Sequence, residues 1–283
     1  MQSKMAATAW LIALCFTISS AKAGSPFGLT AQADWGVNDY NNPDNDNNSN
    51  QSAGPSTATQ ITASVISPDG NAQSTARAKF DSLGAQASIT PNLSLADYQL
   101  YASSVSHVYD QVTISGSNNG TVAFATFKLH VSGQLRQPEY VDPLNPDFTA
   151  ITNANARLQI YSVSASISGQ DGVNYNLSEG GPLIESFSDV LEVKLPFIVG
   201  SSLTYFAEIQ SSAVTDHYIG SPGLAFESLF NQTATLSPIH LSGVTGPITI
   251  TSAIGAQYLY SVPEPTTIGM LGGLVLAMSR RRR

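Results

Sequence analysis

Histidine is the side chain that titrates nearest neutrality, and the chain has four, His107, His130, His217 and His240. They stand singly, and no two have the spacing of a metal-ligand pair. Neither a Gly-x-Ser-x-Gly nucleophile elbow nor a His-Glu-x-x-His zinc motif is present. Glu185, Asp189 and Glu192 lie along one segment and are the raw material of a glycosidase pair. They read more simply as solvent-facing acids on a strand. Asp44, Asp46 and Asn48 have the 1-3-5 spacing of a calcium loop. Ser49 stands where such a loop needs its turn glycine and Pro55 where it needs a bidentate acid, so an EF-hand-type site is rejected. A looser calcium site built from oxygen ligands is the remaining alternative there. The single cysteine, Cys15, sits between Leu14 and Phe16, without the small preceding residue of a lipoprotein site. The expectation is no catalytic residue, no cofactor and no metal: a protein that is not an enzyme.

Recognition chemistry has more material. Sugar rings stack on aromatic faces, and tyrosine adds a polar handle. All 11 tyrosines lie in residues 24–261, together with Trp35. Tyr98 and Tyr101 are three apart, so a regular strand puts them on opposite faces, which argues against a flat aromatic platform there. Aromatic enrichment is also what strands ordinarily show. Polysaccharide binding is thus the alternative to a purely structural or adhesive role, and glycoside hydrolysis comes third.

The segments that must position these residues are bracketed by two others. Residues 1–23 carry Lys4, an apolar run at 6–18, and the small–x–small triplet Ala21-Lys22-Ala23. This is the form of a secretory signal peptide, cut between Ala23 and Gly24. A chain so cut has no cysteine left and forms no disulfide. Six of the 12 basic residues (Lys4, Lys22, Arg280, Arg281, Arg282 and Arg283) lie in the two terminal segments, and only Glu264 of the 20 acidic ones does. Residues 24–261 therefore carry six basic against 19 acidic groups, a net charge of −13. Phosphate backbones repel such a body, so no nucleic-acid partner is expected.

The body reads as all-β: short alternating runs, frequent turn signals and no capped amphipathic helix. Strands are expected at 27–33, 59–67, 72–80, 84–89 and 98–112. Residues 34–55 read as a polar insert, with an Asn/Asp-rich loop at 38–50. Asn119-Gly120 is the strongest hairpin signal. After it, Ala123, Ala125, Phe127, Leu129 and Val131 alternate with Thr126, Lys128 and His130. A strand at 157–168 is expected to turn at Gln170-Asp171-Gly172. Leu191, Val193, Leu195, Phe197 and Val199 alternate with Glu192 and Lys194, and Gly200-Ser201-Ser202 should return the chain along 203–210. Runs at 226–236 and 248–258 close the domain. About ten to twelve strands at this spacing predict an antiparallel β-sandwich, jelly-roll-like, in a single body.

The last segment is of another kind. Val262, Pro263, Glu264 and Pro265 precede an uncharged run at 266–278, which Arg280, Arg281, Arg282 and Arg283 follow. Pro265 can open a helix, while neither proline fits inside one. The run is shorter than the roughly 20 residues that span a bilayer core, and cytoplasmic arginines would fix its orientation. A single short C-terminal transmembrane helix is expected. These residues resemble the PEP-CTERM sorting signal of exopolysaccharide-producing bacteria. The resemblance implies recognition of the Pro-Glu-Pro end by exosortase, a membrane-embedded protease, and a transient membrane anchor. The protein would be exported through the inner membrane and released to the cell envelope or the extracellular polysaccharide matrix. Residues 102–135, with Asp110, and 230–258 also look like other proteins of that kind, in composition only.

Overall fold

The structure, a computed structural model, describes residues 27–39, 46–54, 60–66, 71–90, 95–137, 149–178, 184–218 and 225–262. The expected signal peptide and the expected short C-terminal helix lie outside the described residues. Among the described residues the secondary structure is all β, and no helix is long and apolar enough to cross a membrane.

Two sheets face each other. The first runs β2 (Asp46–Gly54), β1 (Gly28–Asp39), β6 (Leu95–Ser115), β11 (Ser202–Tyr218), β8 (Thr149–Ser162) and β9 (Ile167–Ser178), with β14 (Thr249–Ser252) on β6. The second runs β15 (Tyr260–Ser261), β13 (Ile239–Ser242), β7 (Val122–Arg136), β12 (Phe226–Leu236), β5 (Ser82–Ile89), β4 (Ala72–Lys79) and β3 (Gln60–Ile66), with β10 (Ile184–Ile198) on β7. Pairing is antiparallel except between β13 and β15. The expected sandwich is what the chain forms.

Period-2 alternation accounts for the best-formed strands. Ala123, Ala125, Phe127, Leu129 and Val131 on β7 and Leu191, Val193, Leu195 and Phe197 on β10 are all buried. They fill one core with Tyr205, Phe230 and Ile209. A second core, around Trp35, Ile89, Leu100 and Phe226, is built mainly from alanines, among them Ala31, Ala33, Ala76, Ala87, Ala102 and Ala213. Serines join the sheets between and within these cores. Ser106 Oγ donates to Gly84 O at 2.6 Å, Ser211 Oγ to Ala85 O at 3.0 Å and Ser228 Oγ to Asn153 O at 2.6 Å. Each bond links one sheet to the other. Only small residues let two pleated sheets approach closely enough for a serine hydroxyl to reach the facing backbone.

Several connections differ from expectation. Residues 38–50 are not simply a loop: β1 extends to Asp39, and β2 begins at Asp46 and pairs with it from Val37↔Asp46 to Leu29↔Gly54. A two-stranded edge needs only backbone bonds on that side, so polar residues suffice. Residues 40–45, Asp44 among them, lie outside the described residues. Asn119-Gly120 does turn, with Gly120 at φ 89°, but it joins β6 to β7 in the opposite sheet and forms no hairpin. Its partners lie in another turn: Gly120 N donates to Val199 O at 2.8 Å and Val199 N to Thr121 O at 2.9 Å. The chain after Gly200 likewise crosses sheets instead of returning beside β10. Gln170-Asp171-Gly172 lies inside β9, because Asp171 satisfies nearby donors itself: Oδ1 accepts from Gly172 N and Oδ2 from Glu192 N, both at 2.9 Å. The turn falls earlier, at 163–166, with Ser166 at φ 51°. The expected strand at 248–258 is only β14, and the chain after it follows a side-chain anchor instead of a ladder.

Candidate functional site

That anchor is Asp110, fully buried on β6. Its Oδ1 accepts from Gln111 N at 2.7 Å and Ile254 N at 3.2 Å, and its Oδ2 from Ser252 Oγ at 2.6 Å and Tyr258 Oη at 2.8 Å. Burial first, and then the Asp110 charge, push the Tyr205 and Tyr258 hydroxyls well above the usual phenol range. Both phenols stay protonated, and Tyr258 remains a donor. With two donors on each oxygen and no exposure to solvent, Asp110 fastens the chain after β14 to β6.

Aromatic, amide and charged side chains gather on the outer face of the seven-stranded sheet. Cross-strand register assembles it row by row. Thr204 sits opposite Tyr161, Phe206 between Tyr109 and Gln159, Glu208 between His107 and Arg157, and Gln210 opposite Asn155. Two hollows, of about 380 Å³ and 690 Å³, meet at Arg157. The first is walled by Tyr109, Phe206 and Tyr161. The second is floored where Gly172, opposite Arg157 on β9, presents no side chain. From Thr204 to Gln210 the trough runs roughly 20 Å at strand rise.

Its side chains are ordered by one another. Phe206 meets His107 at 5.7 Å and Tyr109 at 6.2 Å between ring centroids, and Tyr109 in turn meets Phe27 at 4.9 Å. The Arg157 guanidinium lies 6.0 Å over Phe206 and donates to Gln159 Oε1 at 2.9 Å. Asn155 donates to Asn153 at 2.7 Å, and Asn153 to Asn174 at 3.0 Å. Desolvation pushes the Glu208 carboxyl up while Arg157 pulls it back, and desolvation pushes the His107 imidazole down. The trough thus offers stacking rings, a ladder of amides and one cation.

Other residues singled out in the sequence are dispersed. Glu192 pairs with Lys128 at 2.8 Å on the outer face of the second sheet. Asp189 accepts from Tyr175 Oη at 3.1 Å, and with Glu185 it lies on the opposite face of β10. They form no facing pair. His130 and His240 are exposed, and His240 Nδ1 lies 3.1 Å from Ser261 Oγ. The side chain of His217 and the whole of Ala21, Ala23 and Gly24 lie outside the described residues. Among the described residues no group of three or more His, Cys, Asp or Glu could hold a metal. The Tyr101 ring covers Gly36, its cross-strand neighbour, so close that a Cβ there would clash with it. Trp35 is buried in the alanine-rich core.

The end of the described chain bears on destination. Asp110 holds Ser252, Ile254 and Tyr258, and β15 then runs parallel to β13, with Ile239↔Tyr260 and His240↔Ser261. Residues 261–283 match the family model of the PEP-CTERM protein-sorting motif. The chain carries a PEP-CTERM motif. Such a motif implies export, processing by exosortase, a membrane protein, and a place in the envelope or outside the cell. Its first residue lies in β15, so the folded body leads into the PEP-CTERM segment directly from a sheet edge. Val262 is exposed, while Pro263, Glu264, Pro265 and the four arginines lie outside the described residues. No curated protein and no solved structure matches the chain.

Proposed function

We propose that this is a non-enzymatic secreted protein, sorted through exosortase to the cell envelope or the extracellular polysaccharide matrix, where it has a structural or adhesive role. The observation that carries the adhesive reading is the trough. Shallow, elongated along the strands and lined by Tyr109, Phe206, Tyr161, Arg157 and amides, it suits an extended chain of sugar rings better than a compact metabolite. Aromatic faces take the rings, and amides and Arg157 take the hydroxyl or acidic substituents. A body with net charge −13 repels acidic polymers at long range, so neutral or sparsely acidic polysaccharide is the ligand class. Isothermal calorimetry against matrix polysaccharide should give saturable binding that Phe206→Ala weakens at least tenfold. Turnover of a chromogenic glycoside panel would replace this reading with a hydrolase.

A further inference from the structure

We infer that the end of the sandwich toward which β15 runs is a membrane-contacting surface, whose partner is the outer leaflet of the bilayer that takes up the sorting segment. This rests on the sorting reading above. Four turns meet at that end: 116–121, 163–166, 199–201 and 243–248. They are stitched together. Ser164 and Ser201 hydroxyls lie 2.7 Å apart, Gly200 N donates to Ile114 O at 2.7 Å, Asn118 Nδ2 to Gly243 O at 2.7 Å and Thr245 N to Asn118 Oδ1 at 2.9 Å. The result is one plate rather than four independent loops.

The plate differs from the rest of the body in two ways. None of its four turns contains an acidic or basic residue, although the body carries 19 acidic groups. The plate is also rimmed by exposed apolar side chains: Val122 (65 %), Val163 (53 %), Phe124, Ile167 and Tyr161. Lys194 lies 5.5 Å over the Phe124 ring, a cation beside an aromatic at the edge of the apolar rim. That pairing suits an interface where headgroups meet acyl chains.

Chain direction brings this end to the bilayer. β15 runs parallel to β13, and β13 runs into the turn at 243–248, so the chain leaving Ser261 heads for the plate. A handful of exposed apolar residues binds lipid weakly alone. The tether holds them at an effective concentration on the order of millimolar, which makes weak contact count. A body of net charge −13 is repelled by anionic headgroups, so its uncharged plate is the face that opposes the anchor least.

The test uses the full chain with Cys15→Ser, reconstituted in phosphatidylcholine–phosphatidylglycerol vesicles and labelled with a fluorophore at Thr245→Cys on the plate or Thr62→Cys on β3. Quenching by headgroup-labelled lipid should be strong at 245 and at background at 62. Val122→Asp with Val163→Asp should at least halve the signal at 245, while Ile66→Asp, equally exposed but remote, should leave it unchanged. Tail insertion is read separately by resistance to carbonate extraction. Background quenching at 245 with the tail inserted overturns the membrane-contact inference alone. A tail that carbonate extracts overturns the sorting reading and the inference with it.

Discussion

Tyr258 Oη donates to Asp110 Oδ2 at 2.8 Å across 148 residues of chain. The bond ties the segment that leads into the sorting motif to the middle strand of the seven-stranded sheet. The last described residues are therefore held by the core as well as by the two-residue strand β15.

Asp110→Ala should accordingly act in two places. It orphans Tyr258 Oη and the Ser252 hydroxyl in the interior and leaves Ile254 N only its 3.2 Å bond to Ser252 Oγ. Each orphaned donor costs about 1–3 kcal/mol, so a loss of about 2 kcal/mol or more is expected in urea unfolding. Tyr258→Phe removes one donor and should cost about 1–2 kcal/mol. In both variants limited proteolysis should open the chain between 253 and 262 first; unchanged protection there would show that β15 alone holds the segment.

The serine contacts between the sheets give a second expectation. Ser106→Ala deletes a buried bond to Gly84 O and should cost about 1 kcal/mol. Ser106→Val should cost more, about 1–3 kcal/mol, because added methyls push apart sheets that meet only through small residues. Thermal melts of the two variants rank them. A valine variant as stable as wild type would contradict close approach at this position.

How much of this was legible beforehand depended on contrast. β7 and β10 alternate large apolar with polar residues, and their buried faces follow from period 2 alone. The core around Ala31, Ala76 and Ala213 does not announce itself, because Ala and Ser alternate with little difference in hydropathy. Asn119-Gly120 required positive φ, which Gly120 has, but a local signal says nothing about which sheet receives the next strand. The trough was invisible for the same reason: His107, Arg157 and Glu208 lie on three strands far apart in sequence and meet only through register. Asp110 was visible as a residue, but its four donors come from 111 and from 252–258.

The trough residues also set a pH dependence. Burial lowers the His107 pKa below its ordinary 6.5, so the unfolded chain binds the proton more readily. Stability from this group is present above pH 6.5 and is lost as pH falls below it. Glu208 opposes the trend: its raised pKa makes the fold the better proton acceptor above the ordinary 4.5, so its contribution grows as pH falls through that window. The melting temperature of His107→Gln should decline less between pH 6.5 and 4.5 than that of wild type. Glu208→Gln should decline more. The opposite order would mean that His107 and Glu208 are not desolvated as described.

Binding and stability should separate at Arg157. The side chain is on the outer face, and its removal should move the melting temperature by no more than about 1 kcal/mol equivalent. Arg157→Ala should nevertheless weaken polysaccharide binding, because both hollows share this residue. Arg157→Lys should restore only part of it, since an ammonium lacks the planar face that lies over Phe206. Full affinity in Arg157→Ala would move the ligand off this face.

The most direct measurement of the account is the intact mass of the extracellular or envelope-bound form isolated from its native host. Sorting by exosortase predicts a chain that begins at Gly24, ends between Val262 and Thr266, and lacks Arg280, Arg281, Arg282 and Arg283. Replacing Pro263, Glu264 and Pro265 together by alanine should leave uncut precursor in the membrane. A mature form that still carries Arg283 would contradict the account.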